Sequence, residues 1–253
     1  MNRVNILLGL ILTGSTCFAK TNDNVNTTSQ LALVSYSVDA SNIPNTLTPA
    51  TAPSNKKELL KELNLRLKNN PADEETYFER AQLKLKLNDA AGSIKDLNHL
   101  IKLSPNVANY YQLRGEAKLV KEDFLGALLD FNVLVNTNPS AEAYTLRAKS
   151  KAFLGDVQGA IIDNTQAIEL DKANYIAYFN RAMENFYLEK YSLAVTDLNQ
   201  VLTLTTSNAE EVYYNLGLAK YLLGDKKGAM VDLVKAEEMG YTEALATIKA
   251  LKK

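Results

Sequence analysis

One period governs this chain. Tyr stands at 77, 111, 144, 178 and 213, and four residues after each comes a small residue: Ala81, Gly115, Ala148, Ala182, Gly217. Another small residue follows at Ser93, Ala127, Ala160, Ala194 and Ala229, and three residues later an Asp: Asp96, Asp130, Asp163, Asp197, Asp232. All four ladders advance by 34, 33, 34 and 35 residues. Ladders that stay in phase through the same length changes mark one supersecondary unit, stacked many times, with each unit burying its apolar face on the next.

Each unit reads as two helices. Apolar residues at i, i+3 and i+7 give the second helix one buried stripe: Ile94/Leu97/Ile101, Leu128/Phe131/Val135, Val195/Leu198/Leu202. Leu154-Gly155-Asp156 and Leu223-Gly224-Asp225 mark the turn inside a unit, and Pro105 and Pro139 close units by discouraging further helix. Lys172 and Thr206 stand where those prolines would recur, which predicts looser junctions there. Asn55 with Glu58, and Asn208 with Glu211, have the spacing of capping boxes. Asn164 is polar where the other units carry Leu97, Phe131, Leu198 and Leu233, and is expected to hydrogen-bond locally or to hold a hydration site.

These units resemble tetratricopeptide repeats. The resemblance runs from about 74 to 239 and rests on the small residue of each first helix, the small residue (Ala in four of five) in the second, and the closing Pro. It implies an all-α fold, a right-handed superhelical solenoid of antiparallel helix pairs. The expected boundaries are a half-repeat at 55–71, repeats at 74–107, 108–140, 141–174, 175–209 and 210–240, and a cap helix at 242–251, all within a 55–253 domain.

The residues before that domain have a different character. Arg3, the apolar run Ile6–Leu12, and Cys17-Phe18-Ala19 fit a secretory signal peptide over 1–19, cut after Ala19. That run is too short to span a bilayer. Cys17 offers a second reading, a lipidated cysteine, although Gly14-Ser15-Thr16 departs from the lipoprotein pattern. Residues 20–54 are rich in Asn, Thr, Ser and Pro and are expected to form a tether. Leu31–Val38 alone has strand character.

Chemistry is sparse. A single Cys17 and a single His99 exclude a disulfide framework and a Cys/His metal site, and the net charge of −1 gives no broad footprint for nucleic acid. No phosphate-binding loop, HExxH or G-x-S-x-G occurs, so neither a catalytic residue nor a cofactor is expected. His99 reads as a solvated or satisfied side chain, and Glu74-Glu75 and Glu210-Glu211 as helix-starting acids. Arg80, Arg114, Arg147 and Arg181 each precede their unit's Asp by sixteen residues and are expected to bridge its two helices; Leu216 replaces the Arg of the fifth unit and leaves Asp232 without that partner.

What remains is a binding surface. Beside the Tyr-bearing face of each first helix lies a second stripe: Phe78, Gln82, Leu85; then Gln112, Glu116, Leu119; then Thr145, Lys149, Ala152. In the fourth and fifth units it turns aromatic: Phe179, Met183, Phe186 and Tyr214, Leu218, Tyr221. The resemblance implies that this stripe lines a concave groove. It also implies that Asn180 and Asn215, against Glu79, Leu113 and Leu146 earlier, hydrogen-bond a ligand's backbone. Phe78, Gln82, Leu113 and Leu146 are not the residues with which the family grips a terminal carboxylate. The expected function is a non-catalytic scaffold for a protein or extended peptide, periplasmic or secreted, with no membrane span. The alternative is a lipid-anchored structural subunit of the cell envelope.

Overall fold

The computed structural model describes residues 56–252, so the 1–19 signal peptide, Cys17, the 20–54 tether, its 31–38 segment and Asn55 lie outside the described residues. Within them the chain is helical throughout: α1 (Lys56–Asn69), α2 (Glu74–Lys86), α3 (Ala90–Leu103), α4 (Ala108–Val120), α5 (Phe124–Thr137), α6 (Ala141–Phe153), α7 (Val157–Leu170), α8 (Tyr175–Tyr187), α9 (Tyr191–Leu204), α10 (Ala209–Leu222), α11 (Lys226–Glu238) and α12 (Thr242–Leu251). They form two compact units divided after Leu154. One holds α1–α6 and the other α7–α12, and in each the helices pack in chain order.

Local chemistry sets the turns. The turn inside each repeat passes through one residue of positive φ: Asn88 (61°), Glu122 (59°), Gly155 (84°), Glu189 (59°) and Gly224 (89°). An Asp follows at 89, 123, 156 and 225, and its side chain accepts a hydrogen bond from the backbone N–H of a Gly three residues on. The cap is tight, since a Cβ at Gly92 would lie 2.1 Å from Asp89 Oδ2. The fourth repeat departs: Lys190 gives α9 no side-chain cap, and Leu193 replaces the Gly.

Between repeats, the missing prolines do not loosen the ends. α7 and α9 stop where α3 and α5 do relative to the ladders, because side chains hold the turn. Asp171 Oδ1 accepts from the Ala173 N–H (2.9 Å) and Thr205 Oγ1 from the Ser207 N–H (3.0 Å). Ser140 and Asn174 then cap α6 and α8. Asn208 does not form the expected capping box; it adopts a left-handed conformation (φ 53°) and its side chain makes no cap bond.

The small residues of the ladders are contact points. Ala81, Ala127, Ala182 and Ala194 are fully buried. Gly115 faces Phe131, the largest residue of its stripe, and a Cβ there would lie 2.5 Å from the ring. Large and small thus compensate within one repeat, as close packing requires.

The recurrent Tyr, Arg and Asp form one assembly. Arg114 donates from Nε and Nη2 to both oxygens of Asp130 (2.9 and 2.6 Å) and from Nη1 to Asn98 of the preceding repeat (2.7 Å). Its guanidinium lies over the Tyr111 ring, 5.4 Å from the centroid. Arg80 repeats this with Asp96, Asn64 and Tyr77, and Arg181 with Asp197, Thr165 and Tyr178. The Asp carboxylates are buried, so these are not surface ion pairs. A Lys ladder joins them: Lys84 reaches Asp96 and Lys118 reaches Asp130, both at 2.8 Å. Asp232, which lacks the Arg partner, pairs with Lys220 at 2.6 Å, while Lys235 covers the Tyr213 ring at 4.6 Å. Lys220 is the fifth repeat's member of the Lys ladder, so the carboxylate keeps that cation when the arginine is missing, and Lys235 takes the arginine's place over the Tyr ring.

The left-handed turn residues give a direct test. Gly adopts that conformation without the cost a side chain incurs. Relief of about 1–2 kcal/mol of left-handed strain, less about 0.4–1 kcal/mol for the freer unfolded chain, predicts that Glu189→Gly raises stability by about 0.5–1 kcal/mol in urea unfolding, and Gly224→Ala is expected to lower it by about 1 kcal/mol.

Candidate functional site

The stripe expected to bind lies on α8 and α10, within the second unit, and the structure places its residues in two groups. Met183 is buried with Val212 and Leu216 of α10, and Phe179 and Phe186 pack against that cluster while remaining partly exposed. Tyr214 and Leu218 are buried with Ala244 and Ile248 of α12, and Phe186 touches this cluster too. The Tyr214 hydroxyl is hydrogen-bonded to Thr247 Oγ1 (3.1 Å), and its ring lies 4.6 Å from that of Tyr241. Tyr221 is partly exposed.

An open aromatic surface across both repeats is therefore corrected: Met183 is inside the fold, and α12 closes over Tyr214 and Leu218. The two amides are corrected as well. Asn180 is buried at 8% exposure, and its equivalent Leu113 lies in the core beside Leu97 and Leu100. This is a packing position. Asn215 is partly buried and donates from Nδ2 to the Glu211 carbonyl of its own helix (3.0 Å). The side chains still accessible are Phe179, Phe186, Tyr221 and Asn215.

The first unit has a different groove chemistry. Gln112 Nε2 on α4 donates to Glu116 Oε1 (3.2 Å) and to Glu142 Oε1 on α6 (3.0 Å), tying two first helices together. Burial pushes the Glu116 carboxyl up to about 7; the nearby Glu142 adds to the rise, and the Gln112 bond and Lys149 oppose it. Burial likewise holds Glu211 of the second unit at about 7, helped by Glu210 and Glu243. Sequence reasoning places Glu211 merely at a helix start, since nothing in the chain order shows what covers it.

Asn164 is hydrogen-bonded, but across to the next helix rather than locally. It is fully buried and donates from Nδ2 to Glu184 Oε1 (2.8 Å), while its Oδ1 has no hydrogen-bond partner among the described residues. His99 packs against Tyr77 with ring centroids 4.4 Å apart and the rings tilted by 42°. Among the described residues no group of three or more His, Cys, Asp or Glu is placed to hold a metal. No described helix is long and apolar enough to cross a membrane.

Comparison with known proteins accords with this architecture. The family model described as Tetratricopeptide repeat matches residues 74–107 and 210–239. Neutrophil cytosol factor 2 of Mus musculus is 40% identical over 65 residues, which cover 26% of this chain and 12% of that protein. Among solved structures, YrrB, described as a TPR protein with an unusual peptide-binding site, is similar with a TM-score of 0.61 at 18% identity, covering 75% of this chain and 99% of that one. A tetratricopeptide repeat protein from Parabacteroides merdae gives 0.58 at 22% identity, covering 78% of each chain. At these identities the structures speak to fold alone. Together the matches show tetratricopeptide repeats at 74–107 and 210–239 and an all-helical fold of the tetratricopeptide-repeat kind.

Glu116 carries a pH signature. A carboxyl raised in the folded state stabilises fully below its unfolded value of 4.5 and loses that contribution as pH rises through about 7. The protein should melt higher at pH 5 than at pH 8. Glu116→Gln should narrow that difference, read by circular dichroism at both pH values; an unaltered difference would remove Glu116 as its source.

Proposed function

We propose that this protein is an exported, non-catalytic scaffold of five tetratricopeptide repeats that holds an extended segment of a partner protein outside the cytoplasm. The observation that carries the binding reading is the set of partly exposed aromatic side chains Phe179, Phe186 and Tyr221 on the successive first helices of one compact unit. Aromatic side chains supply large contact area at low entropic cost, which is why they dominate binding energy at interfaces. Asn215, partly buried on α10, donates from Nδ2 to the Glu211 carbonyl and has its Oδ1 as an acceptor. The unusual peptide-binding site of YrrB belongs to that protein, and it is in keeping with a similar use of this fold. Export rests on the sequence of residues 1–19.

Two measurements test this. On an array of extended, unstructured peptides, Phe179→Ala with Tyr221→Ala should weaken capture at least tenfold, about 1.4 kcal/mol, with little loss of helicity. Capture that survives the pair but is lost on Gln82→Ala or Glu116→Ala would move the site to the first unit. Separately, the intact mass of the protein from its own cells should correspond to a chain starting at Lys20. A mass heavier by acyl chains on an N-terminal Cys17 would instead establish the lipid-anchored form.

A further inference from the structure

We propose that the protein pairs with a second copy of itself through the outward face of α7 and α9, the second helices of the third and fourth repeats. Two observations set this face apart: it is almost without charge, and large apolar side chains stand exposed on it. α7 and α9 have fourteen residues each, with no Lys, Arg or His among them. Their charged residues are Asp163, Asp197 and Glu169, and the two aspartates are buried. In a chain that is 23% charged, that leaves Glu169, in the last turn of α7, as the one exposed charge of both helices. Not every second helix is built so: α3 exposes Lys95 and Lys102, and α11 exposes Lys227 and Glu238. α5 of the first unit shares the character, with Leu125 and Leu129 exposed and Asp130 buried.

α7 and α9 form one surface. Arg181 donates to both oxygens of Asp197 on α9 (2.8 Å each) and to Thr165 Oγ1 on α7 (3.2 Å), so a single guanidinium joins the two helices. The residue before each ladder aspartate points outward, because the aspartate itself turns in. On α7 it is Ile162, 67% exposed; on α9 it is Thr196, and on α11 Val231, also exposed. Leu193 adds an exposed apolar side chain on α9, where the other repeats carry the cap glycine. The fourth repeat thus exchanges a helix cap for an exposed leucine, which packing within the fold does not explain.

Charge decides the occupant. A two-fold interface sets a surface patch against its own counterpart, so a charge at its centre meets its like. A face without charge avoids that repulsion, and interface centres are depleted of charged residues in general. A lipid surface fits poorly, since helices that lie on membranes present Lys and Arg beside their apolar face. A different protein would find none of the charges that normally set specificity. Each helix is about 21 Å long and the pair about 20 Å wide, so the face is about 400 Å² in outline, at the small end for specific pairs. A weak, micromolar dimer is expected. None of the aromatic side chains assigned above to peptide takes part, so the two readings stand or fall separately.

Sedimentation velocity on the full chain reads the pairing directly. The parent should shift from one chain towards two between about 1 and 100 µM. Ile162→Lys with Leu193→Lys, and Ile162→Glu with Leu193→Glu, should each weaken pairing about tenfold or more. Mixing the two double variants should restore it, because opposite charges then face each other, and restoration also shows that both fold. Leu223→Lys, at an exposed apolar residue in the turn after α10, should pair as the parent does. A parent that stays single at about 100 µM, pairing untouched by both double variants, or loss without recovery on mixing would each overturn the proposal. So would a loss caused equally by Leu223→Lys, or caused instead by Leu125→Lys with Leu129→Lys.

Discussion

Each repeat is held by a buried carboxylate that cannot be left alone. Asp96, Asp130 and Asp197 lie under a few per cent exposure, where an unpaired charge costs several kcal/mol and removal of its partner typically 3–5 kcal/mol. The fold therefore has to deliver a cation to each, and it uses Arg with its flat fork over the Tyr of the same helix. The third branch of that fork reaches Asn64, Asn98 or Thr165 on the second helix of the preceding repeat. One side chain thus fixes three helices, both the pairing within a repeat and the stacking between repeats. A bidentate pair has a defined orientation, which apolar contacts alone do not provide.

The fifth repeat shows that this requirement is one of charge rather than of residue. With Leu216 at the Arg position, Lys220 neutralises Asp232 and Lys235 covers Tyr213. A lysine is a point charge without the fork, so the reach to the preceding repeat disappears. The fourth repeat varies the other end of the design. It keeps Arg181 with both oxygens of Asp197 but has Asn185 where Lys84 and Lys118 stand, and Lys190 where the capping Asp recurs. Each repeat has given up a different element of the set, and neither has given up the neutralised Asp.

Most of the architecture is legible in the sequence because it is periodic. Helix pairs, turns and boundaries follow from residues that recur in every unit, and the Arg–Asp bridge follows from a fixed separation of sixteen. The Lys ladder is hidden because Lys is common on helix surfaces, and only the burial of its Asp partner gives it meaning. Asn208 has the spacing of a capping box but not its conformation, because the box needs extended backbone at its first residue and the chain turns left-handed there. The groove is less legible for a deeper reason. Whether Tyr214 lines a surface or a core depends on α12, thirty residues away, and no local pattern encodes that contact. For Asn180 a clue does exist, since Leu113 at the same ladder position belongs to a core rather than a ligand surface.

Asn164 and Glu184 show how one departure from the period explains another. Elsewhere the two positions carry Leu97, Phe131, Leu198 or Leu233 and Leu83, Ala117, Ser150 or Ala219. Either polar residue alone in this core would leave a buried group unsatisfied, at a cost of about 1–3 kcal/mol. Together they meet at 2.8 Å, so the second substitution offsets much of what the first would cost. Stability alone does not favour such a pair over an apolar one. What it adds is discrimination: apolar side chains on α7 and α8 pack almost as well after a small slide, whereas a side-chain hydrogen bond weakens steeply once its distance and angle are lost.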